Sequence, residues 1–248
     1  MVKFYENTFS YDFAWPAVTL AYFLRYPNPY STHVLATDTL SRYLDPATGK
    51  LHTVRLHLKR GKLPAAVARF LPKIKESYIL ERSVVDVRNQ TMETETRNLD
   101  WEGVISVVES QVYTPSAQTE QALDGAADCE STDVKLTVKI SSRVGSNAKG
   151  KMSDAASSGL WSSWTTGSIQ KSIEIVGMKR MREGLGRSKE GMKVVLEGLR
   201  EKGLLVAMHE RRERKLADRR EGIEPKWKDV WRKAAGTQRK KIGEDSDD

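Results

Sequence analysis

Nine residues, Arg25-Tyr26-Pro27-Asn28-Pro29-Tyr30-Ser31-Thr32-His33, set a guanidinium, two phenols and an imidazole around a corner that two prolines make rigid. Proline fixes φ and cannot continue a helix, so the chain must turn here and its side chains are held in place. Such a set can bind an anion without reacting with it. The structural reading of the same residues is a Pro-aromatic corner that only joins two elements.

Two more segments carry cations in a pattern. In Lys59-Arg60-Gly61-Lys62-Leu63-Pro64 and the residues after it, Leu63, Val67, Phe70 and Leu71 fall on one helical face, with Lys59, Arg60, Lys62, Arg69 and Lys73 around it. A short basic amphipathic helix between two strands reads as a lid or a membrane-surface contact, with Gly61 as its hinge. The alternative is a crossover helix docked on the core. Further on, Gly177, Gly184, Gly191 and Gly198 recur every seven residues, with Arg180 and Arg187 between them. Each glycine costs a helix about 0.5–1 kcal/mol against alanine, so the stripe implies close approach or open volume on that face. A notch between two guanidinium groups would seat a phosphate. Close helix packing with solvated arginines is the plainer account.

No catalytic constellation accompanies these cations. His33, His52, His57 and His209 have no metal-ligand spacing, and no glycine-rich phosphate loop or nucleophile elbow occurs. Asp38 and Glu81 read as polar positions in a sheet. The expectation is a protein that is not an enzyme and needs no cofactor or metal. Its 248 residues carry a net charge of +8, which calls for an anionic partner, nucleic acid or an acidic membrane. The single Cys129 excludes an internal disulfide and a cysteine zinc site. The longest apolar segment, Phe13 to Leu24, contains Pro16 and falls short of the ~20 residues a bilayer needs. It lacks a basic leader and a cleavage site, so no removable presequence is expected.

The elements that must position these groups follow from periodicity. Strands are expected at Lys3–Ser10, His33–Tyr43, Lys50–Lys59, Ser77–Val87, Thr91–Asn98, Val104–Tyr113 and through Val134–Ile140. Asp12 would cap a helix from Phe13 to Arg25, with Pro16 tolerated in its first turn. On the third strand Val54, Leu56 and Leu58 face one way and Arg55, His57 and Lys59 the other. Residues 142 to 167 read as a Ser/Gly/Ala-rich linker, followed by one long helix from Ser168 to Arg214. Met178, Met181, Leu185, Met192, Val195 and Leu199 form an adjacent apolar stripe on it, read as core. The fold class is α+β: a curved seven-stranded antiparallel sheet covered by a long C-terminal helix, with a short lid helix.

In Arg25-Tyr26-Pro27-Asn28-Pro29-Tyr30-Ser31 with His33-Val34, in Lys59-x-Gly61-Lys62-Leu63-Pro64 and in Thr96-Arg97-Asn98-Leu99-Asp100, the chain resembles the PRELI-like family. The Tyr-Pro-Asn-Pro-Tyr corner is similar to the branch that carries phosphatidic acid. The resemblance implies a START-like or phosphatidylinositol-transfer-like fold with a lipid cavity between sheet and helix. It implies transfer of phosphatidic acid from the outer to the inner mitochondrial membrane through the intermembrane space, in support of cardiolipin synthesis. It further implies peripheral contact with anionic membranes and a small helical partner bearing twin Cys-x9-Cys motifs. By the same resemblance Arg25, His33, Lys59 and Lys62 match positions at the cavity and headgroup. Arg180 and Arg187 stand where the family tends to carry lysines, Val176 where it usually has tryptophan, and Gly184 where it often has asparagine.

The lipid-transfer domain is thus expected over residues 1–205, with insertions at 115–131 and 146–167, and a charged extension over 206–248. The sister branch that carries phosphatidylserine stays open. The rivals from other classes are a basic nucleic-acid-binding module and a hydrolytic or lipid-sensing protein on the same cavity. Glu210, Glu213, Asp218, Glu221 and Glu224 dilute the basic tail, which argues against nucleic acid.

Overall fold

The computed structural model describes residues 2–61, 76–100, 102, 105–116, 131–142 and 159–220. Seven strands form one antiparallel sheet: β1 (Val2–Tyr11), β2 (Val34–Leu44), β3 (Leu51–Arg60), β4 (Glu76–Asp86), β5 (Thr91–Asn98), β6 (Ile105–Pro115) and β7 (Thr132–Ser142). Their order is β1-β7-β6-β5-β4-β3-β2, a meander from β2 to β7 that β1 joins at the far edge. Helix α1 (Trp15–Leu24) and one 3-10 turn (Pro29–Ser31) connect β1 to β2. Helix α2 (Gly159–Lys202) and helix α3 (Leu204–Arg220) follow the sheet.

The register sorts the inner face of the sheet into bands. Phe9, Val134, Tyr113, Met92, Val85 and Leu51 lie opposite one another across six strands. This apolar row joins Trp15, Val18 and Tyr22 of α1 and Met192 and Leu196 of α2 in the main core. Two rows along, Val138, Glu109, Thr96, Glu81 and Arg55 are in register. One sheet face therefore passes from hydrocarbon to charge over four residues, about 13 Å, because alternate residues of a strand share a face.

Several expectations change in detail. Helix α1 starts at Trp15, and its N-cap is Ala14 with no side-chain cap, not Asp12. Tertiary bonds fix its entry instead: Trp15 Nε1 donates to the Tyr113 carbonyl and Thr132 Oγ1 to that of Phe13. The strand β3 alternates as expected, yet both of its faces are buried, with Leu56 in an outer cluster beside Leu80 and Arg55 and His57 inside. Part of the expected linker is helix, since α2 begins at Gly159 and takes in Trp161 and Trp164. The single long helix breaks at Gly203, whose φ of +76° is left-handed and open to glycine at little cost. The expected boundary at 205 falls inside α3. The lid segment, with Lys62, Leu63, Pro64, Val67, Phe70 and Leu71, lies outside the described residues, as do most of the two insertions.

Candidate functional site

The corner after α1 is held by one buried asparagine. Asn28 accepts from the Tyr30 amide at 2.9 Å through Oδ1, and its Nδ2 donates to the Arg25 carbonyl at 2.6 Å. A Cβ built on Gly191 of α2 would meet Asn28 Oδ1 at 2.6 Å, so α2 can seat against this turn only through glycine. The corner thereby delivers Arg25 to the inner face of the sheet. Its guanidinium lies 3.7 Å from the Tyr22 ring centroid and 4.8 Å from that of Tyr26. Both are cation–π contacts.

Beneath it Glu81 gathers three bases. Arg25 Nη2 donates to Oε2 at 2.6 Å, Arg55 Nε donates to Oε1 at 2.6 Å, and His57 Nε2 lies 3.0 Å from Oε2. The carboxylate can only accept, so the imidazole donates through Nε2 and takes the Thr37 hydroxyl, 2.9 Å away, at Nδ1. Arg55 also donates to the carbonyls of Phe23 and Tyr22, which ties the last turn of α1 to β3. Burial pushes the Glu81 carboxyl up, but Arg25 and Arg55 outweigh it and hold it well below the carboxylate range. Burial lowers His57 to about 4 against the opposing pull of Glu81, so the imidazole is neutral at pH 7. With Arg25 and Arg55 set against one carboxylate, the cluster retains one positive charge.

Above the cluster a cavity of about 210 Å³ opens between the sheet and α2. Arg25, Lys59, His33, Arg187 and Lys189 bring basic groups to its wall; Phe9, Leu136, Met181, Leu185 and Met192 bring apolar surface. Burial lowers the His33 pKa first, and the charges of Lys59 and Arg187 lower it further. Burial raises the Tyr26 phenol, but Arg25 and Lys59 outweigh it and the net shift is downward. In both groups the charge of Lys59 favours loss of the proton. Arg25 Nε is buried with no hydrogen-bond partner. An unmet guanidinium donor among further cations is suited to a phosphate, and the apolar wall to hydrocarbon. One carboxylate, Glu109, also faces the cavity; it accepts from Gln111, which in turn accepts from the Tyr113 hydroxyl. Among the described residues no cluster of His, Cys, Asp or Glu could hold a metal ion.

The PRELI-like family model matches residues 16–160, more than half of the chain. The chain belongs to the PRELI-like family. The Saccharomyces cerevisiae protein UPS1, mitochondrial, is 42% identical over 62% of this chain and 82% of its own length. The Schizosaccharomyces pombe ups1 homolog is 32% identical over 74% of this chain and 89% of its own. The crystal structure of TTHA0849 from Thermus thermophilus superposes with a TM-score of 0.42 at 11% identity, over 79% of this chain and 98% of that one, a likeness too distant to bear on function.

Of the PRELI-like positions marked in the sequence, Arg25, His33, Lys59 and Arg187 meet in one cavity. Lys62 and the side chain of Arg180 lie outside the described residues. Gly184 lines the cavity with open space before it, whereas Gly191 marks a close approach, so the glycine stripe has both of the uses it could have. The methionine stripe is core in part: Met192 is buried, while Met181 and Leu185 pack on β7 and line the cavity. Sequence reading missed Arg55, His57, Lys189 and Glu109, and gave Glu81 no role beyond a polar position. Lys189 lies 4.3 Å from the centroid of Phe9, and only that strand contact separates it from the many exposed lysines.

Proposed function

We propose that this chain is a non-enzymatic carrier that moves phosphatidic acid from the outer to the inner mitochondrial membrane, in support of cardiolipin synthesis. One observation carries the reading: Arg25, whose Nε is buried and unpaired, lines one cavity with Lys59, His33 and Arg187, at the border between charge and hydrocarbon on the inner sheet face. The phosphate would take that donor, and the acyl chains would lie between sheet and α2. Each buried methylene contributes about 0.8 kcal/mol. Small-ligand pockets usually measure about 300–1,000 Å³, so widening of this cavity by movement of α2 would accompany entry of two chains. The mitochondrial names of the relatives support the compartment. Within it, the intermembrane space and a small twin Cys-x9-Cys helical partner belong to this proposal, as does the absence of nucleic acid and of any cofactor beyond the cargo.

A second reading, transfer of phosphatidylserine, is favoured by Glu109, since a carboxylate on the cavity wall offers an ammonium group an acceptor. Transfer of fluorescent phosphatidic acid, phosphatidylserine and phosphatidylcholine between vesicles separates the two. Selective phosphatidic acid transfer that falls at least tenfold in Arg25→Ala is expected. Phosphatidylserine transfer abolished by Glu109→Gln would move the protein to the sister branch. No transfer of any lipid by a folded chain with its partner would overturn both.

A further inference from the structure

The junction of α2 and α3 exposes hydrocarbon that the cargo site does not use. Leu204, Leu205, Val206, Ala207 and Met208 open α3 as an unbroken apolar run, with Leu205 83% and Met208 53% exposed. Single exposed apolar residues are ordinary. Five in a row surround the first turn on every side, so no rotation of the helix hides them. The left-handed φ at Gly203 interrupts the helix just before this run, with the Gly203 amide donating to the Leu199 carbonyl at 3.1 Å. Beyond the run α3 changes character, with Arg211, Arg212, Arg214, Lys215, Arg219 and Arg220 against Glu210, Glu213 and Asp218. Lys202 binds Glu210 at 3.1 Å, which removes one of those acids from the balance.

Polarity here is graded along the helix axis rather than around it. A protein groove reads an amphipathic helix by one face at i, i+3, i+4 and i+7, and this run has no such face. A bilayer interface reads depth. Hydrocarbon on every side of a helix turn suits that medium, and five residues at 1.5 Å each give about 7.5 Å of it. The cations that follow would then lie at the level of lipid phosphates, each attracted by an anionic leaflet. Among the described residues no helix is long and apolar enough to cross a membrane, so the contact is one of insertion at the surface. A second groove of about 280 Å³ continues the apolar surface from Ala207 through Leu199 and Val194 to Pro27 and Tyr26. Tyr26 lines both this groove and the cargo cavity, which places the junction behind the Arg25 corner.

We infer that the start of α3 is a membrane anchor: Leu204–Met208 insert into an anionic bilayer while the basic turns of α3 rest on its headgroups. The surface is separate from the cargo site, so this inference and the proposed lipid transfer can fail independently. The test uses the full chain and vesicles of phosphatidylcholine, alone or with about one-third phosphatidylglycerol. Leu205→Cys in a Cys129→Ser background carries an environment-sensitive fluorophore. Its emission shifts to the blue on anionic vesicles and is quenched by nitroxides placed on the acyl chains. Leu205→Glu and Met208→Glu lower the bound fraction about tenfold without changing the thermal midpoint. Val87→Glu, at an apolar residue 66% exposed in the turn between β4 and β5, leaves binding unchanged. The inference is overturned if the label stays in water on vesicle-bound protein, or if Leu205→Glu binds as the parent does. A blue shift that needs only higher protein concentration, without vesicles, overturns it in favour of a contact between copies.

Discussion

Glu81 sets one negative charge between the Arg25 and Arg55 guanidinium groups, and the cost of losing it follows from that. Glu81→Gln leaves Arg25 and Arg55 without a counter-charge in a site where Glu81 itself is 1% exposed. Breaking a buried pair from one side costs about 3–5 kcal/mol, and urea unfolding should show a loss of that order. Removal of one acid would then weaken the fold more than removal of any surface charge. His57 adds a dependence on pH. Its pKa is held at about 4 in the folded protein, chiefly by burial, against 6.5 when unfolded. As pH falls from 6.5 to 4 the unfolded chain takes up a proton that the folded site refuses. Stability present above pH 6.5 is therefore lost over that window, by about 3 kcal/mol, and Glu81 adds a further loss at lower pH. Urea midpoints at pH 7, 5.5 and 4.5 should trace the loss, and His57→Gln should flatten it; an unchanged slope in that variant would place the effect elsewhere. Alternation put Arg55 and His57 on one strand face and Glu81 at a polar sheet position, but their meeting was not legible in the sequence. Arg55, His57 and Glu81 share no local motif, and only the β3–β4 register, which sets Arg55 opposite Glu81, unites them.

At the scale of elements, α2 shows how far a periodic signal reaches. The heptad of glycines pointed to one special face, and the contacts of that face differ from site to site. A Cβ at Gly191 would fall 2.6 Å from Asn28 Oδ1 and 2.9 Å from Asn28 Cγ, whereas Gly184 and Gly198 meet nothing within 4 Å. Asn28 cannot swing aside freely, since it caps the 3-10 turn and holds the Arg25 carbonyl. Gly191→Ala should therefore destabilise the protein by about 1–3 kcal/mol through overpacking and impair cargo binding by moving the corner. Gly184→Ala should stabilise it by roughly 0.5–1 kcal/mol through helix propensity, while adding a methyl group to the cavity wall. Thermal unfolding of the two variants distinguishes them by sign; equal shifts would mean that Asn28 yields. Spacing revealed the stripe because it is local. Which glycine touches the corner depends on a contact across 163 residues of chain, which no window of sequence contains. The helix break was hidden for a related reason: Gly203 stands off the heptad, and its left-handed φ is visible only in the backbone.

The whole molecule separates two kinds of electrostatics, and its sheet, in the order β1-β7-β6-β5-β4-β3-β2 with α2 against the inner face, explains why. Alternation in the sequence marks seven strands of one sheet, whereas Arg25, Lys59 and His33 were expected at one cavity only through the PRELI-like resemblance. Arg25 and Lys59 act at short range, partly buried on the wall of the cavity between sheet and α2. The net charge of +8 acts at long range from the surface, where salt competes. Raising ionic strength from about 0.1 M to about 1 M shortens the screening length from about 10 Å to about 3 Å. Association with anionic vesicles should therefore fall several-fold, through both the approach of the charged chain and the basic turns of α3. Cargo already in the cavity should stay, because its phosphate is held by contacts closer than the shortened screening length and its chains are held by burial. Co-sedimentation gives the first quantity, and lipid retained by the soluble protein after gel filtration gives the second. If salt strips the cargo as readily as it releases the membrane, the phosphate is bound at the exposed surface and the buried guanidinium of Arg25 is not its seat.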